Sequence, residues 1–176
     1  MNKLTRLLKH LWLDVSDTQR AIPADMLDRL AQRVAASEQR HSGQIRICVE
    51  ASLPASYLWR LGRPDSLAEL VRQRAVMMFG KLRVWDTEHN NGVLIYLLLA
   101  EHAIEIVADR ALRRHADAAQ WQAMVAHMAG AFRAQRYEDG LTQALEEISA
   151  LLVAHFERAS MAPEHPNELP DMPLLQ

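Results

Sequence analysis

Residues able to hold a hard cation crowd into one loop of this 176-residue chain. Asp86-Thr87-Glu88-His89-Asn90-Asn91 offers two carboxylates, two amides and one imidazole within six positions. Mixed carboxylate and carbonyl oxygens are what Ca²⁺ or Mg²⁺ prefers. Asp86, Glu88, Asn90 and Asn91, joined by Asp109 from further along, therefore form a candidate metal set. A second polar group comprises Glu50, Ser52, Glu101 and His102. Against both stands plain turn chemistry, because Asn-Asn-Gly caps itself without any ligand.

Other chemistries find little purchase. The chain contains no GxGxxG, GxxxxGK[ST], HExxH or GxSxG pattern, so neither a nucleotide nor an organic cofactor is indicated. Ser42 beside His41 lacks an acidic third member at an interpretable spacing, and Cys48 falls inside a strand pattern with no evident activating group. Eight histidines are scattered, with only His89 and His102 beside carboxylates in loops, which gives no zinc-ligand spacing.

Elements must bring these residues together, and their periodicities are readable. Gln44 to Ala51 alternates, with Ile45, Ile47 and Val49 on one face and Arg46, Cys48 and Glu50 on the other, which predicts a strand with one well-buried face. Val93 to Ala100, VLIYLLLA, is apolar throughout and predicts a central strand covered on both sides. Glu101-His102 is a short turn into a third strand through Ile104, Ile106 and Ala108. Antiparallel pairing of that hairpin returns Asp109 and Arg110 to the end where the Asp86–Asn91 loop enters. Glu101 and His102 then meet Glu50 and Ser52 at the other end, the carboxyl ends of the parallel strands, where open α/β sheets favour ligands.

Helical stripes flank the strands. One helix opens at Ile22-Pro23 and closes at His41-Ser42-Gly43, and a second follows Asp65-Ser66 and ends near Gly80. A third starts at Asp117, and a fourth runs from Tyr137 to Phe156 after a break at Gln135-Arg136. Asp14 to Ala21 is expected to be a polar link, and 53–64, carrying Tyr57 and Trp59, a loop folded back on the core. The start, MNKLTRLLKHLWL, sets Leu4, Leu7, Leu8, Leu11 and Trp12 against Lys3, Arg6, Lys9 and His10. Such a basic amphipathic helix either packs on the domain or touches an anionic membrane surface or a partner.

The expected architecture is one α/β domain, a three-layer α/β/α sandwich with a small mixed sheet. That sheet has two parallel strands plus an antiparallel hairpin partner, within four to five helices. The organisation is an amphipathic segment and link over 1–21, the domain over 22–158 and a Pro-rich disordered tail over 159–176. Hydrophobic residues make up 49%, and 20 Lys+Arg balance 22 Asp+Glu, so no overall field recruits nucleic acid. No run is apolar and long enough to span a membrane, and the single cysteine fits a reducing compartment. The expectation is a cytoplasmic protein, peripheral at most at the inner face of a membrane.

From Phe79 onward the order F-x-K-L-x-V-W-D-T-x-x-N-N-G-V-L-I-Y-L, then a short turn and a second strand, resembles the TPM domain. This is the family of thylakoid lumen phosphatase-like and photosystem II repair proteins. AFRAQRYEDGLTQALEEI resembles its closing helix pair with F-x-x-x-x-Y-x-x-G-L, and coverage runs from about Ile22 to Phe156. The chain looks like the cytoplasmic bacterial subgroup. The resemblance implies the same α/β/α sandwich, divalent-cation binding and, in plant members, phosphomonoester hydrolysis. Asn91-Gly92-Val93-Leu94 match the family's N-G-V-L, whereas Asn90 stands where an aspartate is usual and Glu101 occupies the acidic turn position. The glycines after the hairpin are replaced by Asp109-Arg110-Ala111, and Arg20-Ala21-Ile22-Pro23 stands in place of most of the family's opening pattern.

Two readings from different classes follow. One is a binding or accessory module working with a partner at or near a membrane; the other is a metal-dependent phosphomonoesterase using Asp86, Glu88 and Asp109 as ligands. Losing carboxylates removes ligand charge, which favours the first.

Overall fold

A computed structural model describes residues 3–60, 66–157 and 167–176. Leu4 falls within the first helix, but its side chain lies outside the described residues, as do Asp65, residue 158 and 159–166 of the expected tail.

The central strand is β2 (Val93–Leu98), and all six of its residues are buried, as its unbroken apolar run predicts. It pairs in parallel with β1 (Ile45–Glu50), from Ile45 opposite Val93 to Glu50 opposite Leu98. It pairs antiparallel with β3 (Ala103–Ala108), from Val93 opposite Ala108 to Leu98 opposite Ala103. A fourth strand, β4 (Leu174–Leu175), runs parallel to β1, giving the order β3-β2-β1-β4.

The tail therefore departs from the expected disorder over 167–176. Backbone bonds from Gln176 N–H to Val49 O and from Ala51 N–H to Gln176 O extend the β4 pairing. The Gln44 side-chain oxygen accepts from the amides of both Glu168 and Leu169 at 3.0 Å. β1 departs from its pattern as well, since all six residues are buried. Its polar face is covered because Arg46 donates to Pro170 O and Met172 O from the tail, and Glu50 meets a cation.

Helices close both faces. On one, Ile45, Ile47, Val49, Ile95 and Leu97 pack with Leu30 and Val34 of α3 (Ala24–Glu38), Phe132 of α6 (Ala118–Arg133) and Ile148 of α7 (Tyr137–Phe156). On the other, Cys48, Leu94, Tyr96 and Leu98 pack with Leu70, Ala75 and Met78 of α5 (Leu67–Lys81). This is the three-layer α/β/α sandwich. The described residues hold seven helices rather than four or five, because two short ones fall where a link and a loop were expected. These are α2 (Val15–Ala21) and α4 (Ala55–Leu58). The α2 helix is fixed by a reciprocal cap: Asp14 accepts from Ser16 N–H, and Asp17 accepts from Asp14 N–H.

Two glycines explain parts of the motifs. A Cβ on Gly92 would lie 2.0 Å from Val84 O, so only glycine lets the entry loop pass the start of β2. One on Gly140 would lie 2.7 Å from the Phe132 ring, which is how F-x-x-x-x-Y-x-x-G-L packs α6 on α7.

The first helix, α1 (Lys3–Trp12), docks with its polar side inward. His10 is buried, whereas Leu8, Leu11 and Trp12 are 48%, 65% and 83% exposed.

Candidate functional site

The hairpin end of the sheet collects part of the expected metal set. Asp109 N–H donates to Gly92 O at 2.9 Å, placing Asp109 opposite the loop that enters β2. Its Oδ1 accepts from Arg110 N–H at 2.6 Å, and its Oδ2 is buried with no partner among the described residues. Asn91 is fully buried; its N–H donates to Thr87 Oγ1 and its side-chain amide to Ser42 Oγ, both at 3.2 Å. Asn91 Oδ1 has no partner either. Buried acceptors are seldom left unpaired, so two at one end are a specific signal.

The other three candidates are drawn elsewhere. Asn90 takes the left-handed conformation at φ 52°, and its Oδ1 accepts from the Arg110 guanidinium at 2.5 Å. Asp86 is exposed and pairs with Arg83 at 2.7 Å. Glu88 is exposed, and its own N–H donates to Glu168. Among the described residues, no three His, Cys, Asp or Glu side chains converge as a metal-holding group. Of the five candidates, Asn91 and Asp109 fit a hard cation. A further acid sits at the start of β1: Glu38 accepts from Ile45 N–H at 2.7 Å. Burial pushes its pKa up to about 8, with Asp171 and Glu168 adding repulsion against the bond from Ile45.

The opposite end is built differently. Glu50 is 5% exposed and receives Arg74 through two guanidinium nitrogens, with Nε 2.8 Å from Oε2, while the Tyr96 hydroxyl donates to the same carboxylate. Arg74 also lies over the Tyr57 ring, 5.6 Å from its centroid. Glu101 meets Arg6 and His10 of α1. His10 Nδ1 accepts from Leu53 N–H at 3.0 Å, which leaves Nε2–H to donate to Glu101 at 3.1 Å. Arg6 Nε lies 2.9 Å from the same oxygen without hydrogen-bond alignment, so its attraction is Coulombic. Burial raises the Glu101 pKa, yet the His10 bond and the Arg6 charge outweigh it and hold the carboxyl below its ordinary value. His102 takes φ 48° at the turn and stacks on Tyr137, and Ser52 is half-buried at the end of β1.

Sequence reasoning missed Arg74, and it put Arg6 and His10 on the polar face of α1 without their contact to Glu101. Arg74 had a readable signal, because it occupies the buried register of α5 between Leu70 and Met78 at four-residue spacing. His41 bonds Ser37 at 2.9 Å, not Ser42, and its Nδ1–H donates to Gly43 O. Burial brings its pKa down to about 4. The Cys48 thiol is pushed up to about 12 by burial and by Glu50.

A parallel β-α-β unit with an antiparallel hairpin partner, closed by a helix pair through Phe132 and Gly140, defines an α/β/α domain with two polar strand ends. The chain belongs to the TPM domain family, whose model matches residues 15–151. Its fold is similar to the NMR structure of the BA42 protein from the psychrophilic bacterium Bizionia argentinensis. That likeness has a TM-score of 0.70 at 21% identity and covers 87% of this chain and 94% of that one. No curated protein matches the sequence.

Proposed function

We propose that this TPM domain is a non-catalytic binding module that docks on a membrane surface through α1. The supporting observation is the helix's inverted seating. Arg6 and His10 hold Glu101, while Leu7, Leu8, Leu11 and Trp12 form an exposed apolar stripe. Exposed leucines with a tryptophan on an amphipathic helix suit the headgroup–acyl boundary. No helix among the described residues is long and apolar enough to cross a membrane, so the contact is peripheral. Flotation of the full chain with phosphatidylcholine–phosphatidylglycerol vesicles tests this. Leu11→Ser with Trp12→Ser, both exposed, should abolish co-flotation without changing the melting temperature; undiminished flotation removes the reading.

A second reading rests on a different observation. Asn91 Oδ1 and Asp109 Oδ2 are buried oxygens without hydrogen-bond partners among the described residues, which suits a divalent cation such as Ca²⁺ or Mg²⁺ at the hairpin end. Two protein oxygens are few against the six to eight that Ca²⁺ takes, so water completes the shell and affinity is modest. A calcium titration followed by melting temperature, repeated on Asp109→Ala, is the test. Phosphomonoester hydrolysis has no comparable support among the described residues: Ser37 and His41 are buried together, and the Cys48 thiol holds its proton.

A further inference from the structure

We propose that the free edge of β3, in the groove between α5 and α6, accepts an extended acidic peptide of another protein as an added strand. β1 is flanked by β2 and β4, so β3 is the sheet's long unpaired edge among the described residues. Asp109 N–H bonds Gly92 O, and hydrogen-bonded pairs alternate along an antiparallel ladder. Val107 and Glu105 therefore turn their backbone groups toward β2, and Ile104, Ile106 and Ala108 turn theirs outward. Arg72 confirms the direction, because its guanidinium donates to Ile106 O at 2.6 Å from the groove side.

The space beside this edge is shaped for a chain. A groove of about 930 Å³ has Ile106 and Ala108 on its floor, Arg72 of α5 on one wall, and Trp121, Val125 and Ala129 of α6 on the other. Outward N–H and C=O groups, with Ile106 O shared with Arg72, supply a peptide's main-chain bonds, and the apolar wall takes alternate side chains. The small Ala129 leaves room for them.

Charge selects the occupant. Arg113 and Arg133 line the groove, are exposed, and make no ion pair among the described residues. Arg133 closes α6 and Arg113 lies just before it, so they stand near the two ends of a helix roughly 24 Å long at about 1.5 Å per residue. The acids lining the groove are engaged: Glu69 caps α5, Asp117 caps α6 and Glu105 pairs with Arg72. A strand carrying carboxylates meets two cations without ion pairs among the described residues, whereas a basic one meets carboxylates already bonded within the chain. This site is separate from α1 and from the hairpin end, and it stands whether or not those readings hold.

The probe is a blocked heptapeptide alternating Glu and Val, titrated into the ¹⁵N-labelled full chain, with its Lys–Val counterpart as control. The expected result is saturable shifts at the amides of Ile104, Ile106 and Ala108 for the acidic peptide alone. Arg113→Ser with Arg133→Ser should weaken binding roughly tenfold. Ala108→Pro, which deletes one outward N–H but no ladder bond, should weaken it too. Equal binding of the lysine peptide, shifts confined to other regions, or unchanged affinity in the arginine variant overturns the proposal. Self-association through β3 without peptide binding also overturns it, assigning the edge to a second copy of the chain.

Discussion

At the turn end of the sheet, Glu50 and Glu101 each have a cation from another element; at the hairpin end, Asn91 Oδ1 and Asp109 Oδ2 have no hydrogen-bond partner among the described residues. General experience with open α/β sheets favours the turn end for ligands. Here that end is occupied by the chain's own Arg74, Arg6 and His10, and α1 is pinned across it. The hairpin end concentrates acceptors without matching donors, with Glu38 facing Asp171 and Glu168 besides. Topology allots a place where a ligand can sit. Whether the place remains open depends on which long-range cations the sequence sends there.

The sharpest way to break this contrast is to delete one carboxylate from each end. Glu50→Ala strands a buried guanidinium and a hydroxyl, so urea unfolding should show a loss of about 3–5 kcal/mol. Asp109→Ala forfeits only the local bond to Arg110 N–H and should cost less than about 1 kcal/mol without added metal. Equal losses would abolish the distinction. Next in size is the cation itself. At about 100 times its dissociation constant, Ca²⁺ should stabilise the wild type by about 2.7 kcal/mol and leave Asp109→Ala unmoved. Stabilisation that survives this substitution places the cation elsewhere.

The smallest effect is carried by pH. The folded pKa of Glu38 is raised from about 4.5 to about 8, so its stabilising neutral form is fully present below the first value. That contribution is lost as pH rises through the second. Glu38→Gln keeps an oxygen for Ile45 N–H and does not ionise. Its melting curve should match wild type at pH 4 and show an advantage on the order of 1–2 kcal/mol at pH 9. An advantage that does not grow with pH would remove Glu38 from the contrast.

Much of this was legible in the chain. The apolar run of β2, the alternation of β1 and the turn at Glu101-His102 fix the sheet, and the hairpin necessarily brings Asp109 to the Asn91 loop. A loop's composition does not tell which side chains a neighbour will take, as Arg83 takes Asp86 at 2.7 Å. The α1 stripe was visible, but its outward orientation depends on Glu101, 91 positions from His10. The α2 helix escaped notice because VSDTQRA has no apolar period; the Asp14–Asp17 cap holds it. β4 escaped because two leucines among prolines carry no strand pattern without β1 beside them.

The docking of 167–176 has a consequence for how the protein is made. Synthesis delivers β1, β2 and β3 long before the segment that covers β1, and chains tend to fold from the N-terminus as they emerge. Until that segment arrives, Arg46 lacks Pro170 O and Met172 O, and the outer side of β1 lies bare. The nascent domain thus passes through a stage with two open sheet edges. The residues that close one of them are translated well after the strands they join.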